Sequence, residues 1–425
     1  MKKKLKIAVI GSGIAGLGCS WLLAKRFNVD IYEKNGYLGG HSNTQTIKTK
    51  LDYKLIKVDT GFIVFNDLNY PNLNSLFKEL DVKTIQSNMS FAVSVDNKNF
   101  EYGGESFYTL FAQKKNIISL SFWKMLFEIL MFYKNVLPDK SKYKSKTIEQ
   151  YLEIKKYSNT FKYKHLYPMA SSIWSTPITQ IKKYPFINFI DFFNNHGLLK
   201  LFNRPMWKTV VNGSQSYIQK IIKNSSCNVF LKEKVDKVKR YKSGIEIKTN
   251  KNKRIYDHVV FACHPDQTLK ILDKASDEEI SLLSSISYKK NIVYLHSDNS
   301  FMPENKKIWS SWNYLERSSE NEQKSLMVTY WMNKLQRINT KENIFVTLNP
   351  EETPDNEKIY KKIIYEHPVF TKKSIHSANG LLKIQGINNT WYCGAYTGNG
   401  FHESGLVSGL NVAEDLSGLS RPWKK

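Results

Sequence analysis

The 425-residue sequence has few cysteines and no pattern that would bind zinc or build a disulfide framework. Its four cysteines, Cys19, Cys227, Cys263 and Cys393, are widely spaced, and no two of them form a CxxC pair. This spacing excludes the common cysteine-based zinc sites and a small disulfide-stapled domain, so we expect no metal site. It favours a reducing compartment, in which thiols stay free.

Long apolar runs without charge are also missing. No uncharged apolar stretch approaches the roughly 18 residues that a transmembrane helix needs. The N-terminal MKKKLKIAVIG begins with basic residues, but its apolar run is short and leads directly into glycines. This pattern favours a β-strand over a secretory signal peptide, so we expect a cytoplasmic protein.

Arginine is scarce, although the chain is strongly basic. Only seven of the 63 basic residues are Arg, and the formal net charge is +25. Proteins that read nucleic acid rely on Arg forks, so we expect no nucleic-acid partner. The Lys excess has two interpretations: a solvated surface, or attraction to anionic lipid on the inner face of a membrane. The sequence leaves both open.

The most specific pattern lies at the start of the chain, in LKIAVIGSGIAGLGCSWLLAKRFNVDIYEK. It predicts a buried strand at 5–10, a helix that continues to 25, and a second strand at 29–32. A chain of this length, with 41% hydrophobic residues, also has room for a second domain.

Three glycines between the first strand and the helix form GxGxxG. Gly11 permits the tight turn, Gly13 lets the backbone approach a pyrophosphate, and Gly16 allows close packing of helix on strand. The helix N-terminus offers free N–H groups to the phosphates, and Glu33 is placed to accept from ribose hydroxyls. The sequence therefore predicts a dinucleotide site formed by Gly11, Ser12, Gly13, Ile14, Ala15, Gly16, Glu33 and Lys34.

A second glycine pair follows the acidic residue, in EKNGYLGGHSNT, and is followed by VDTGFIVFN. Gly39 and Gly40 would let the chain fold back over the dinucleotide, together with Gly61 and Phe62. This layout resembles the FAD-containing amine oxidase superfamily, which includes monoamine oxidases, protoporphyrinogen oxidase and phytoene desaturases. That superfamily usually has Arg after the pair, whereas this sequence has His41.

The resemblance implies FAD held by segments that are far apart in the chain. It implies that Val235 meets the adenine through its backbone, and that a last strand, turn and helix place a helix N-terminus under the flavin. GAYTGNGFHESGLVSG, 394–409, matches that turn, with Ala395 where the superfamily has Asp. We expect cofactor contacts from Gly394, Phe401, His402 and Glu403. No Cys or His falls where a covalent link would require it, so we expect non-covalent FAD.

The stretch FACHP resembles the A-x-P that ends a strand in the superfamily, with one further residue before Pro265. We interpret Cys263 and His264 as the polar end of a buried strand, with catalysis as the alternative.

Several unusual stretches resemble a narrower branch of bacterial FAD-dependent oxidoreductases. They include YLGGHSNT, GFIVFN, RPMWKTVVNGSQSYI, ACHPDQTL, VTYWMNKLQ and GFHESGL. The same branch is similar to the N-terminal, oxidase-like part of plant cyclopropane fatty-acid synthases. The resemblance covers about residues 5–415 and implies an enzyme of fatty-acyl modification, with a fatty-acyl methyltransferase as a candidate partner.

The fold class predicted is α/β, or α+β overall, with the two-domain architecture of monoamine oxidase. A Rossmann-like FAD domain is expected from 1–72, 205–268 and 381–425. A substrate domain of mixed sheet and helices is expected from 73–204 and 269–380.

The substrate domain is rich in aromatic stretches, IWSSWNYL and VTYWMNKL, which read as strands. In the resembling superfamily such strands form the ceiling of the substrate cavity. We expect the cavity to be lined by Trp174, Trp309, Trp312, Tyr330 and Trp331, although each aromatic could equally belong to the core. The helix predicted at 121–137 is either buried on one face or lies on a membrane.

Two residues are candidates for proton transfer. His402 lies in the turn expected near the flavin and either takes a proton from substrate or bonds backbone or cofactor. Lys290 resembles the flavin-facing lysine of monoamine oxidases, although a chance match is equally consistent with so many lysines. The preferred hypothesis is FAD-dependent desaturation, or a related redox reaction, of a fatty-acyl chain or other apolar lipid. The alternatives are a flavin amine oxidase and a flavin-binding accessory protein of a methyltransferase-type synthase.

Overall fold

The computed structural model describes residues 4–174, 176–200, 203–316 and 327–424. In chain order the strands are β1 (Lys6–Ile10), β2 (Asn28–Glu33), β3 (Thr44–Lys48), β4 (Leu55–Asp59), β5 (Val64–Asn66), β6 (Thr84–Gln86), β7 (Phe91–Val95), β8 (Phe100–Gly103), β9 (Trp207–Val210), β10 (Asn228–Leu231), β11 (Val235–Tyr241), β12 (Gly244–Thr249), β13 (Lys253–Tyr256), β14 (His258–Phe261), β15 (Tyr288–His296), β16 (Trp312–Leu315), β17 (Met327–Trp331), β18 (Phe345–Leu348), β19 (Ile359–Pro368) and β20 (Thr390–Tyr392).

The α-helices are α1 (Ile14–Leu23), α2 (Pro71–Glu79), α3 (Phe107–Leu110), α4 (Lys115–Ile118), α5 (Leu120–Asp139), α6 (Ile148–Ile154), α7 (Asn159–Phe161), α8 (Tyr167–Trp174), α9 (Ile178–Ile181), α10 (Phe186–Asn195), α11 (Gln215–Lys223), α12 (Pro265–Ile271), α13 (Asp277–Ser284), α14 (Met332–Leu335), α15 (Lys372–Leu381) and α16 (His402–Ser417). A π-helical turn, Lys162–Leu166, joins α7 to α8. Short 3-10 turns lie at Asn299–Phe301, Lys306–Ile308, Asn356–Lys358, Ile387–Asn389 and Ala395–Thr397.

A parallel five-stranded sheet has the order β10-β2-β1-β14-β20. Its central strand β1 is buried beyond its first residue, Lys6, as the β-branched run at 5–10 predicts. Helix α16, from the end of the chain, packs on α1 so closely that a Cβ on Gly409 would lie 2.0 Å from the carbonyl oxygen of Ala15. This sheet draws its strands from the beginning, the middle and the end of the chain.

The second large sheet has seven strands in the order β19-β15-β18-β17-β16-β7-β8. Its neighbours pair antiparallel, except for the parallel pair of β16 with β7. All seven strands lie within 91–103 and 288–368, inside the ranges expected for the substrate domain, whose boundaries stay a prediction. A Rossmann-like unit beside a large mixed sheet confirms the fold class predicted from the sequence.

Helices α5 to α10 cover one side of the second sheet. The buried face of α5 carries Phe122, Met125, Ile129 and Phe132, which pack in one apolar cluster with α10 and with Tyr314 of β16. This confirms a core-facing stripe for the helix predicted at 121–137. Within the described part of the chain, no helix combines the length and apolar character that crossing a membrane requires.

Candidate functional site

A cavity of about 1390 Å³ lies between the two large sheets. This volume exceeds the roughly 300–1,000 Å³ of ordinary small-molecule pockets, so it can hold a dinucleotide and a second molecule. The predicted site residues that line it are Gly11, Ser12, Gly13, Ile14, Ala15, Glu33, Lys34, Gly39, Gly40, His41, Gly61, Phe62, Trp174, Val235, Trp312, Tyr330, Gly394, Phe401 and His402.

The three glycines of the first loop have different roles. Gly11 has φ +107°, and a Cβ there would lie 2.8 Å from the oxygen of Ala262. A Cβ on Gly16 would lie 2.0 Å from the oxygen of Gly11, so Gly16 permits close packing and does not line the cavity. Gly13 has nothing within 4 Å of its Cβ position. The loop is therefore tight on its protein side and open on its cavity side.

Glu33 ends β2 beside this loop and is 7% exposed. Its carboxylate accepts from the Ser12 hydroxyl at 2.6 Å, from the Ser12 N–H at 3.2 Å and from the Asn35 N–H at 2.8 Å. The ten-residue helix α1 begins at Ile14 with no acidic residue in its first turn and no side-chain cap. An open N-terminus and a neighbouring carboxylate fit the pyrophosphate and the ribose of a dinucleotide.

The second glycine pair folds against the first loop. The Gly39 N–H donates to the Ser12 oxygen at 2.9 Å, and a Cβ on Gly40 would approach Cα of Gly13 to 3.3 Å. Both glycines have positive φ, +112° and +58°. The Phe62 N–H then donates to the His41 oxygen at 2.7 Å. These contacts place His41 and Phe62 at the junction between the glycine-rich loops and the rest of the cavity.

His402 opens α16 and contacts Phe62 and Tyr217. Its ring stacks on Phe62 at 3.8 Å between centroids, and its Nε2 lies 2.6 Å from the Tyr217 hydroxyl. Burial lowers the pKa of His402 to about 3, and His41 adds a smaller lowering. His402 is therefore a neutral imidazole at physiological pH, with Nε2 occupied by Tyr217. Whether it takes a proton during a reaction stays a prediction.

Strand β19 lines the cavity with residues that the sequence did not predict, among them Tyr365 and His367. The His41 ring stacks on Tyr365 at 4.8 Å and lies 5.0 Å from the His367 ring. Burial lowers the pKa of His41 to about 4 and that of His367 to about 3. In the described part of the chain, Nε2 of His41 is buried and has no hydrogen-bond partner. The two-residue spacing of Tyr365 and His367 in a strand was the available signal.

A chain of hydrogen bonds fixes the protonation of His367. The Ile292 N–H can only donate, and it donates to Oδ1 of Asn349 at 2.9 Å. Nδ2 of Asn349 then donates to Oδ1 of Asn291 at 2.7 Å, and Nδ2 of Asn291 faces Nδ1 of His367 at 2.6 Å. Nδ1 must accept this bond, so the proton of the neutral ring lies on Nε2, the nitrogen left for the cavity.

The far end of the cavity is aromatic. Trp312 and Tyr330 are direct partners across β16 and β17, with ring centroids 4.7 Å apart. Trp174 stacks on Tyr184 at 4.9 Å. We define the aromatic end by these cavity-lining side chains: Met89, Phe91, Met169, Ile173, Trp174, Tyr184, Phe192, Trp312, Tyr330, Val346, Leu348 and Phe401.

The acidic residues that line the cavity are Glu33, Glu233, Asp236 and Glu366. Glu33, Glu233 and Asp236 adjoin the predicted dinucleotide contacts, and Glu366 lies 3.3 Å from His264. None of them belongs to the aromatic end.

Two tryptophans predicted for the pocket lie elsewhere. Trp331 follows Tyr330 directly in β17, so it points to the opposite face of the sheet. It packs there with Trp309, at 5.6 Å between ring centroids, and Trp309 also contacts Phe345. Neither tryptophan lines the cavity. The pair forms a separate apolar cluster with Met302 and Phe345.

Lys290 and Glu403 are also placed away from the cavity. Lys290 is exposed on β15, whereas the next residue, Asn291, is 1% exposed. The Glu403 carboxylate accepts from the Asn72 N–H at 2.8 Å and from the Leu73 N–H at 3.0 Å. It therefore stabilises the N-terminus of α2, while its neighbour His402 faces the cavity.

The strand end at FACHP contributes to the cavity through Cys263 and His264. His264 stacks on Tyr288 at 3.9 Å, and burial lowers its pKa to about 4. Burial raises the pKa of Cys263 to about 11, so it is a protonated thiol at neutral pH.

Residues 9–80 match the family described as NAD(P)-binding Rossmann-like domain. No curated protein sequence matches the chain. Similar solved structures include a protein provisionally described as a protoporphyrinogen oxidase from Exiguobacterium sp. 255-15, at 13% identity and a TM-score of 0.68, covering 98% of this chain and 99% of that one. A CLA-producing fatty acid isomerase from P. acnes has 15% identity and a TM-score of 0.66, covering 98% of each chain. Cyclohexylamine oxidase from Brevibacterium oxydans IH-35A has 13% identity and a TM-score of 0.61, covering 97% of this chain and 99% of that one.

These comparisons define the class of the molecule at the level of its fold. Over almost its full length the chain has the same fold as these solved structures, and its N-terminal unit matches the Rossmann-like family. The fold that the sequence resemblance implied is confirmed.

Proposed function

We propose that the protein is an FAD-dependent oxidoreductase that acts on a fatty-acyl chain or a comparably apolar lipid. The observation that carries the proposal is a single cavity with two different ends. The glycine-rich loops and Glu33 line one end, which we call the dinucleotide cradle, and the other is the aromatic end, which has no acidic side chains. The acidic side chains of the cavity thus lie near the predicted cofactor contacts, while the aromatic end offers the substrate an apolar surface. The basic Lys183 and Arg204 also line the cavity. An extended apolar chain suits such a lining better than a small polar molecule.

The residues present fit FAD bound without a covalent link. Gly13 and the start of α1 would receive the pyrophosphate, Glu33 the adenosine ribose, and Gly39 and Gly40 would close over the dinucleotide. His41, which stands where the superfamily usually has Arg, adds a neutral buried imidazole. When bound, FAD supplies the two-electron redox chemistry of desaturation or a related reaction.

The chain's own residues contribute positioning and exclusion of water. Trp312, Tyr330 and Trp174 would hold an apolar substrate, so that little water remains around the reacting carbon atoms. His402 and His367 are neutral and can accept or donate one hydrogen bond without adding charge.

A flavin amine oxidase is the second candidate, favoured by the fold of cyclohexylamine oxidase. An ammonium substrate would gain from a nearby carboxylate, and the aromatic end as described has none. The fold is equally similar to that of a fatty acid isomerase. The lining of the cavity therefore favours the lipid.

The test is anaerobic reduction of the purified yellow protein, followed by flavin absorbance, with a panel of fatty-acyl substrates and a panel of amines. We expect the fatty-acyl substrates, and not the amines, to reduce the flavin. Tyr330→Ala should weaken reduction by that substrate while FAD content is kept, whereas Trp331→Phe, on the other face of β17, should not.

Each other outcome contradicts part of the proposal. Reduction by amines would establish the second candidate. FAD that binds but is reduced by neither panel, together with a stable complex with a fatty-acyl methyltransferase, would indicate an accessory protein. A protein without flavin would refute the cofactor assignment.

A further inference from the structure

Helix α5 has apolar side chains on two opposite faces. One face, with Phe122 and Met125, is buried in the core of the substrate domain. The other face carries Trp123, Phe127 and Leu130, which are 47%, 60% and 46% exposed. These three follow the spacing i, i+4, i+7, so they form one stripe on the helix surface. Nothing in the described chain covers this second stripe.

The exposed surface continues onto the two short helices that precede α5. We define the α3–α5 patch as the following exposed side chains: Phe107, Tyr108, Ile118, Leu120, Trp123 and Phe127. Tyr108, Ile118 and Leu120 are each more than four-fifths exposed, at 88%, 84% and 87%. Exposed apolar side chains are common singly, but a cluster of six large ones marks an interaction surface.

Direct contacts make the α3–α5 patch one continuous surface. The Trp123 indole N–H donates to the Ile117 oxygen at 2.8 Å, which ties α5 to α4. The Phe111 ring lies 5.2 Å from Trp123 and 4.7 Å from Phe107, which ties α5 to α3. The three helices therefore present their apolar side chains together.

Positive charge surrounds the α3–α5 patch. Residues 107–127 contain Lys114, Lys115 and Lys124, all exposed, and no Asp or Glu. The acidic residues that flank this stretch both have partners. Glu105 forms an ion pair with Lys334 at 2.6 Å, and Glu128 is buried and accepts hydrogen bonds from Ser158. Aromatic and aliphatic tips among lysines are the composition of helices that lie in the interface of an anionic bilayer.

We propose that the α3–α5 patch docks the protein on the surface of an anionic lipid membrane. The apolar side chains would enter the boundary between headgroups and acyl chains, and Lys114, Lys115 and Lys124 would face the anionic headgroups. A second copy of the chain fits this surface less well, because a two-fold contact would bring equal lysine clusters together. The inference is independent of the reaction that the cavity catalyses.

The experiment is flotation of the full-length protein with vesicles of phosphatidylcholine alone and with vesicles that contain one quarter phosphatidylglycerol. Binding to the phosphatidylglycerol vesicles that weakens at high salt is expected. Phe127→Glu and the double change Lys114→Glu with Lys115→Glu should each reduce partitioning about tenfold or more. Leu55→Glu, at a side chain that is 75% exposed outside the α3–α5 patch, is the control and should bind like the unchanged protein.

Three results would overturn the proposal: no binding to phosphatidylglycerol vesicles, equal loss in the Leu55→Glu control, or a dimer in light scattering that Phe127→Glu dissociates. Circular dichroism establishes that each variant is folded. Leu120→Asp, at a side chain that is 87% exposed, repeats the test at a second position of the patch.

Discussion

Replacing Asn291 by Asp should move the proton of the neutral His367 ring from Nε2 to Nδ1. In the unchanged protein, Nδ2 of Asn291 donates to Nδ1 of His367, and the orientation of that amide is fixed through Asn349 by a backbone N–H. A carboxylate at the same place can only accept. The ring would then have to donate from Nδ1, and Nε2 would face the cavity as an acceptor.

The magnitude follows from the distance and the burial. The new carboxylate would lie about where the amide nitrogen now lies, 2.6 Å from Nδ1, on a side chain that is 1% exposed. An opposite charge this close raises the pKa of an imidazole by about 1–3 units, which is about 1.4–4 kcal/mol. From about 3, the pKa of His367 would rise to about 4–6. The ring stays neutral at pH 7, so the tautomer is the larger change.

The assay is two-dimensional NMR of protein labelled with ¹⁵N-histidine, in which long-range proton–nitrogen couplings distinguish the two neutral tautomers. His367→Gln removes one set of signals and assigns the ring. Asn291→Leu is the matched control, since it removes the donor without adding an acceptor. In the cofactor-loaded enzyme, Asn291→Asp should change the pH profile of kcat, because the hydrogen bond offered to the cavity is inverted.

Two results would refute this reasoning. If His367 of the unchanged protein carries its proton on Nδ1, the hydrogen-bond chain does not set the tautomer. If Asn291→Asp leaves both the tautomer and the pKa of His367 as they were, the side chain at position 291 does not govern the ring.

Three further predictions concern the cradle, a helix N-terminus and the buried histidines. Gly13→Ala should keep the fold and weaken cofactor binding about tenfold or more, because its Cβ would occupy the open space in which the pyrophosphate is expected. Gly16→Ala should instead lower the melting temperature, because its Cβ would lie 2.0 Å from the Gly11 oxygen. Equal cofactor affinity in Gly13→Ala and the unchanged protein would contradict this. Glu403→Gln should destabilise by about 1–3 kcal/mol in urea unfolding, because an amide has only one acceptor oxygen and leaves one N–H of the first turn of α2 without a partner. The exposed Asp67→Asn should change little. His296 is fully buried with a pKa of about 4. Between pH 4 and the unfolded value near 6.5 the unfolded chain binds more protons, so the unfolding free energy should rise with pH there by up to about 1.4 kcal/mol per unit, and His296→Gln should lose that part of the slope.

The βαβ unit at the start of the chain was predictable because its determinants are local. The expected strand at 5–10, helix to 25 and strand at 29–32 correspond to β1 at Lys6–Ile10, α1 at Ile14–Leu23 and β2 at Asn28–Glu33. Glycine spacing and one acidic residue suffice, because the turn and the close packing involve neighbouring parts of the chain. The helix ended two residues early, as helix ends commonly do.

The faces of the aromatic strands were not predictable from local pattern. VTYW contains two adjacent large aromatics, and a strand must send them to opposite faces. Tyr330 reaches the cavity because β17 pairs with β16 in the register Trp312↔Tyr330, and Trp331 is turned away by the same register. That register depends on the assembly of seven strands, which no short stretch of sequence encodes.

The hydrogen-bond chain to His367 illustrates the same limit for polar residues. Asn291 lies 58 positions from Asn349 and 76 positions from His367 in the sequence. Each looks ordinary in its own stretch of sequence. Only the pairing of β15 with β18 and with β19 brings the three side chains together.

The histidines around the cavity add no positive charge to it at neutral pH. His41, His264, His367 and His402 all have pKa values that burial lowers to about 3 or 4. A proton on one would oppose a proton on the next, since His41 itself further lowers the pKa of both His367 and His402. The group therefore offers directed hydrogen bonds without a net positive charge at pH 7. The aromatic end also lacks acidic groups, so an ammonium substrate would lose its hydration there without gaining a carboxylate partner.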